Sequence, residues 1–364
     1  MMPSVQGDEG DYGQMRYTLA ETDHGQAWGA CAEAEGLFGD ALRGTYELFG
    51  WVDEGAAVSG WVGSRVWLVP EGETHEPWLL EDTESVGRLR AGSLVLTGMD
   101  DDEGPPEGHA GPVRVHDGCR WLGSCRAFTR ILPPPPVSSS LVLRGLAQSD
   151  QLRMALKKGT RRTLDLEEAV LEIRDDQGEP LTDRLLWARV TGRRPSSYGT
   201  DLIDLALDGE LFTPVPDYAR PVWERWLVGR PGTPAAWAGL DTRLREAWLD
   251  LLRERACRRA HTDRPAGHAY ELDGRHIIDE PGLYLALGEA VNGPGGYFGS
   301  CLAALDDCLR GTFGYTAPAT LLWRDAETAR VHLSERLASD GQPYNLFTEI
   351  LGVLAKGGMS VTLA

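Results

Sequence analysis

The residues best suited to chemistry run from Tyr297 to Gly311: Tyr297-Phe298-Gly299-Ser300-Cys301-Leu302-Ala303-Ala304-Leu305-Asp306-Asp307-Cys308-Leu309-Arg310-Gly311. An aromatic-aromatic-glycine turn feeds a short helix that presents two adjacent carboxylates. A pre-formed acidic helix with an aromatic at its entrance suits insertion into a basic cleft. The carboxylates supply charge and the aromatic supplies rigid buried area. The segment therefore points to binding, not catalysis.

Other constellations are weaker. Cys257 and His261 have the i,i+4 spacing of a helical metal pair, but no second pair follows, and no metal or other cofactor is expected. Cys301 and Cys308 lie seven residues apart and read as buried small hydrophobes. Lys157-Lys158 with Arg161-Arg162, and Arg193-Arg194, are basic patches without interleaved aromatics, so they read as solvated faces. Gly293-Pro294-Gly295-Gly296 has the glycine content of a phosphate loop without its Gly-Lys-Ser/Thr ending. No G-x-S-x-G or H-E-x-x-H string occurs. Acidic pairs such as Glu167-Glu168 are too frequent to nominate as acid/base catalysts. No catalytic residue is assigned, and the chain reads as a non-enzyme.

At 364 residues the chain exceeds one ordinary core. Residues 1–14 read as a disordered leader. Residues 15–132 read as a mainly-β domain of unknown function, with Gly60–Pro70 and Ser93–Gly98 as strands and 100–106 as a charged loop. The Trp28-Gly29-Ala30-Cys31 string is only faintly echoed at Trp121 to Cys125. Residues 133–140, four prolines and then serines, form a stiff linker. Residues 141–232 read as an α+β or β unit. Asp150 caps a helix over Gln151–Lys158, and strands are expected at 168–174, 185–191, 202–207 and 225–228. Residues 233–267 hold a helix and linker: Leu240, Leu244, Trp248, Leu251 and Leu252 share one face, with Asp241 as cap. It is read as a docking helix between domains.

Residues 268–364 alternate strands and helices: a strand at 270–272, a helix from Glu280, the Cys301–Arg310 helix, a strand at 318–324, a helix at 344–356 and a final strand at 359–364. This order predicts a small parallel-sheet α/β domain. The fold class is thus multi-domain α+β.

Charge narrows the partners. The net charge is −19, concentrated at the start. Residues 1–110 carry −17, residues 111–267 carry +4 and residues 268–364 carry −6. An acidic chain is a poor ligand for nucleic acid and a good one for basic proteins. No apolar run reaches the length of a membrane span, the first residues lack a signal-peptide core, and the six cysteines form no C-x-x-C pair. The cytoplasm is the expected compartment.

Residues 270–364 resemble the barstar family, intracellular inhibitors of barnase-type ribonucleases. The carriers are Asp273-Gly274, the aromatic-aromatic-Gly at Tyr297–Gly299, Leu302-Ala303-Ala304-Leu305-x-Asp307-Cys308-Leu309-x-Gly311, Pro318…Leu321-x-Trp323-Arg324, and the closing Gly358-x-x-Val361-Thr362. The resemblance implies a small three-stranded parallel sheet and a protein partner, a basic ribonuclease or nuclease toxin whose active site the helix plugs. It assigns partner contacts to Tyr297, Gly299, Ala303, Asp306, Asp307 and Arg310, with Asp307 in the place of a substrate phosphate and Tyr297 packed at the mouth of the cleft. The pattern departs from the family at Asp306, where barstar has a tryptophan, at Ala303, where it has an acid, and at Arg310, where it has a threonine. Val353 and Gly357 replace two glutamates of a later helix. The expected function is that of an inhibitor or immunity protein. The alternative is a multi-domain scaffold whose barstar-like part binds a non-nuclease protein.

Overall fold

A computed structural model describes the chain except residues 1–14, 23–24, 40–42, 73–75, 101–103, 106–108, 132–140, 159–163, 209–210 and 260. The expected leader, the Pro/Ser linker and Arg161-Arg162 lie outside the described residues.

The chain opens with β1 (Tyr17–Glu21), β2 (Ala27–Cys31) and β3 (Glu33–Glu35). Eight strands follow: β4 (Gly44–Phe49), β5 (Val52–Asp53), β6 (Gly60–Pro70), β7 (Trp78–Gly87), β8 (Ser93–Asp100), β9 (Val113–His116), β10 (Trp121–Cys125) and β11 (Ala127–Ile131). Next come β12 (Leu141–Gln148), helix α1 (Asp150–Lys158), β13 (Leu164–Arg174), β14 (Pro180–Pro195), β15 (Ile203–Asp208) and α2 (Arg220–Val228).

Two compact units result. One combines the described parts of residues 1–41 and 137–230; the other combines those of 42–136 and 231–364. In the first, antiparallel pairing runs β1–β13–β14–β15–β12–β2 and back to β1, so six strands close into a barrel, with β3 added along β12. Closure removes sheet edges that would otherwise expose unpaired backbone groups. Leu19, Cys31, Leu143, Leu171, Ile173 and Leu205 are fully buried in its core.

This pairing crosses the boundary expected at residues 133–140. Residues 17–35 do not belong with the strands that directly follow them, because β1 and β2 fill the gap between β13 and β12. Two local readings also change. Residues 225–228 end helix α2 instead of forming a strand, and Pro at its first turn fits a helix start. The cap of α1 is Ser149, whose Oγ accepts from Leu152 N at 3.2 Å, not Asp150.

In the second unit the sheet runs β11–β4–β8–β7–β6–β9–β10–β5. Strands β10 and β11 are one strand bent at Arg126, whose N–H donates to Phe49 O at 2.9 Å. Because β11 pairs with β4 and β10 with β9, this sheet also closes on itself. Tyr46, Leu48, Val66, Leu68, Trp78 and Leu96 fill its core.

Then come α3 (Thr242–Cys257) and the C-terminal domain: β16 (Ala269–Asp273), α4 (Glu280–Asn292), α5 (Leu302–Cys308), β17 (Ala319–Arg324), α6 (Ala326–Leu333), the short pair β18 (Arg336–Leu337) and β19 (Pro343–Tyr344), α7 (Leu346–Lys356) and β20 (Met359–Leu363). β16, β17 and β20 form a three-stranded parallel sheet, as the alternation predicts. Tyr270, Leu272, Leu321 and Trp323 are buried, while Glu271, Thr320 and Arg324 alternate with them on an exposed face. The sequence reading missed α6 and the β18–β19 pair.

α3 is part of this unit's core. Asp241 caps it, accepting from Leu244 N at 2.9 Å. Arg245, 3% exposed, reaches Asp279 at 3.0 Å, and Asp279 also caps α4 through Gly282 N at 2.8 Å. On the other side Arg243 makes a two-pronged bond to Asp82 of β7, both arms at 2.7 Å. Asp82 is 5% exposed and also accepts from Arg43 at 2.8 Å and Trp61 at 3.0 Å.

Removing a carboxylate that serves two part-buried guanidiniums leaves Arg43 without its ion pair and Arg243 with Glu84 at 2.7 Å, at a cost of about 3 kcal/mol. Asp82→Ala is expected to lower unfolding free energy by about that amount in urea denaturation. A change below about 1 kcal/mol contradicts the assignment. Glu246 of α3 gives a pH signature. It is half-buried, and desolvation, then Asp250 and Glu280, push its carboxyl up to about 8 against the pull of Arg65. The folded state therefore holds a proton that the unfolded chain releases near pH 4. Stability is lost as pH rises from there to about 8. Glu246→Gln is expected to match the parent at pH 4 and to exceed it at pH 8.5 by on the order of 1 kcal/mol after solvent screening.

Candidate functional site

The loop into α5 is pinned from both sides by one amide. Asn292, the last residue of α4, donates from Nδ2 to Tyr297 O at 2.8 Å and to Phe313 O at 3.0 Å. The main chain thus leaves α4, runs through α5 and returns to the same side chain. Asp263 holds the return, accepting from Thr312 N and Gly314 N, both at 2.9 Å.

Inside this loop both aromatics turn inward. Phe298 is fully buried with its ring 5.9 Å from Tyr315. Tyr297 is 5% exposed, lies 6.2 Å from Phe313 and shares a hydrogen bond with Ser300 Oγ at 3.2 Å. Desolvation pushes its hydroxyl up to about 12, so it stays neutral. Arg253 and Cys257 of α3 are near enough to act on it electrostatically. The ring of Tyr297, the residue expected at the mouth of a partner's cleft, packs in the domain's own core. Gly299 is also buried, at φ +94°. A Cβ there would stand 2.9 Å from Leu305 Cα.

α5 starts at Cys301, whose Sγ accepts from Ala304 N at 3.4 Å. Cys301 is therefore a helix cap, not a buried hydrophobe; Cys308, 2% exposed, is the buried one. Leu305 and Leu309 face inward and Leu302 is half-buried. The outward face shows Ala303, Asp307 and Arg310.

The two aspartates differ. Asp306, with a side chain 22% exposed, is paired with Arg310 and lies 3.4 Å from Lys356 of α7. The Arg310 hydrogen bond chiefly holds its carboxyl below the usual range. Asp307 is 71% exposed and, among the described residues, pairs only with Arg310, at 4.0 Å. Sequence spacing could have revealed the first pair, since Asp306 and Arg310 are i,i+4. The Lys356 contact spans 50 residues and carried no local signal. Val353 is half-buried, and Gly357 packs on Leu309. The face of α5 and α7 thus carries Asp306, Asp307 and Glu349 against Arg310 and Lys356.

Residues 267–340 match the Barstar (barnase inhibitor) family. The C-terminal part of the chain is a barstar-family domain. The rest of the chain, more than twice the size of that domain, lies outside the match, and no curated protein matches the chain. Among the described residues no cluster of three or more His, Cys, Asp or Glu has metal-binding geometry, and no helix is long and apolar enough to cross a membrane. His261, paired with Cys257 in the sequence reading, stacks on Phe313 at 5.5 Å.

Gly299→Ala is expected to destabilise the protein by more than about 1 kcal/mol, because the left-handed backbone and the contact with Leu305 both resist a side chain. Thermal unfolding reads this directly. An unchanged Tm would mean that the loop can relax.

Proposed function

We propose that the barstar-family domain binds and blocks a basic ribonuclease or nuclease toxin through the outward face of α5 and α7. The observation that carries this reading is Asp307: a carboxylate 71% exposed, at the family's phosphate-mimicking position, on a helix whose inner face is locked into the core. Asp307 occupies the anion site of the enzyme and accepts hydrogen bonds from its cationic groups. Ala303 and the half-buried Leu302 and Val353 supply apolar contact around it. Tyr297 and Gly299 act indirectly, by fixing the entry angle of α5. Asp306 contributes by neutralising Arg310 and Lys356, which would otherwise repel a basic partner.

Six free cysteines support a reducing, cytoplasmic setting. The domain needs no cofactor in this role. A second reading has a specific support. Two of the five charges on this face are cations, so the face is only weakly acidic, and a non-nuclease protein partner fits it as well.

The test is capture by the full-length chain from its native host, followed by calorimetry against the captured nuclease. Asp307→Ala is expected to weaken binding by at least about 2 kcal/mol, about 30-fold in Kd. Arg310→Thr is expected to act in the opposite direction, raising the association rate with a basic partner. Unchanged affinity on losing Asp307 removes it from the interface. Capture of a defined partner that is not a nuclease selects the second reading.

A further inference from the structure

The second unit contains a cleft of ≈ 640 Å³. Its walls are β6 from Trp61 to Trp67, the turn at Asp117–Cys119, the start of α4 and the β18–β19 segment with Tyr344. The β18–β19 segment is fastened to the barrel: Leu337 N donates to Gly118 O at 2.8 Å, and His116 Nε2 lies 3.3 Å from Ser339 O. The cleft therefore has two fixed sides. Its volume lies within the range of small-molecule pockets, roughly 300–1,000 Å³.

Two arginines from different elements line it, and both act electrostatically on Glu280 and Tyr344. Arg336 of β18 is 9% exposed, touches Cys119 Sγ with Nη1, and leaves Nε buried without a hydrogen-bond partner. It makes no ion pair among the described residues. Arg65 of β6 makes none either, and lies 5.6 Å from the Trp67 ring centroid. Elsewhere in the same unit part-buried arginines are answered: Arg243 meets Asp82 at 2.7 Å and Arg245 meets Asp279 at 3.0 Å. A buried guanidinium without a carboxylate is costly to keep. Glu280 lies in the field of both arginines but outside pairing distance, and desolvation raises its carboxyl pKa despite them. It is a poor counter-ion for two guanidiniums. Tyr344, half-buried, feels the same three charges.

We propose that this cleft binds a small organic anion, a carboxylate or phosphate carried on a planar ring, gripped by Arg336 and Arg65 from different elements, with Trp61 and Tyr344 flanking the ring. Guanidiniums recognise planar and tetrahedral oxyanions through paired N–H donors, and aromatic walls favour a flat body behind the charge. This site is separate from the α5 face and does not depend on the inhibitor reading. Because one arginine belongs to the barrel and the other to the barstar-family domain, an occupant ties the two together.

The test is isothermal titration of the full-length chain with adenosine 5′-monophosphate and with indole-3-acetate, using inorganic phosphate as the ringless control. One ring-bearing anion is expected to bind with Kd below about 1 mM and more tightly than phosphate. Which of the two binds separates a phosphate from a carboxylate site. Arg336→Gln is expected to weaken that binding at least about tenfold. Arg65→Gln, at an exposed position, does the same where the Arg336 variant fails to fold. Occupancy is also expected to slow alkylation of Cys119 by iodoacetamide, since the thiol touches Arg336. Absence of binding by both ring-bearing probes, or binding that survives both substitutions, overturns the proposal.

Discussion

Asp82 is the contact on which the second unit depends. Its carboxylate accepts from Arg43, Trp61 and both arms of Arg243, joining two barrel strands to the helix that precedes the barstar-family domain. It holds a left-handed backbone, φ 43°, that a non-glycine residue adopts only when its surroundings enforce it. The strain and the desolvation of the carboxylate are offset because four donors converge on two oxygens. A lysine in place of Arg243 would keep the charge but lose the planar fork that fills both sites.

From Asp82 the constraint passes along α3. Arg243 faces the barrel, and Arg245, two residues later, faces Asp279 at the head of α4. Asp279 in turn caps α4, whose last residue, Asn292, pins both ends of the loop carrying α5. A chain of hydrogen-bonded groups therefore connects the barrel to the proposed binding helix. α3 packs against α4 although it precedes the family match, which begins at residue 267. A fragment starting there loses Arg245 and leaves the buried Asp279 with one cation fewer.

Much of this was legible in sequence where structure is local. Asp241 three residues before Leu244, the proline in the first turn of α4 and the alternating apolar residues of β17 all act over a few positions, and each falls where pattern predicted it. What was not legible depends on partners distant in the chain. The pairing of β1 and β2 with β13 and β12 skips more than a hundred residues, and a strand's own residues do not say which edge it will fill. The Asp306 to Lys356 contact has the same character. Tyr297 shows a different limit. Family position marked it as a contact residue, but burial depends on Phe313 and α3, and neither is adjacent to it.

These contacts change what kind of recognition the α5 face can perform. Two adjacent aspartates in the sequence suggest a strongly anionic plug. In the folded domain Asp306 is answered by Arg310 and Lys356, so three acids face two cations and long-range attraction is small. Salt at physiological strength screens such a residual charge beyond about 8 Å. On the proposed inhibitor reading, discrimination would come from close range, at the exposed Asp307 and the apolar surface of Ala303 and the half-buried Val353. On that reading, Ala303, Val353 and Gly357 in place of family acids would trade association rate for shape. On that reading the partner's basic cleft needs one anion-binding site for Asp307 beside a flat apolar rim.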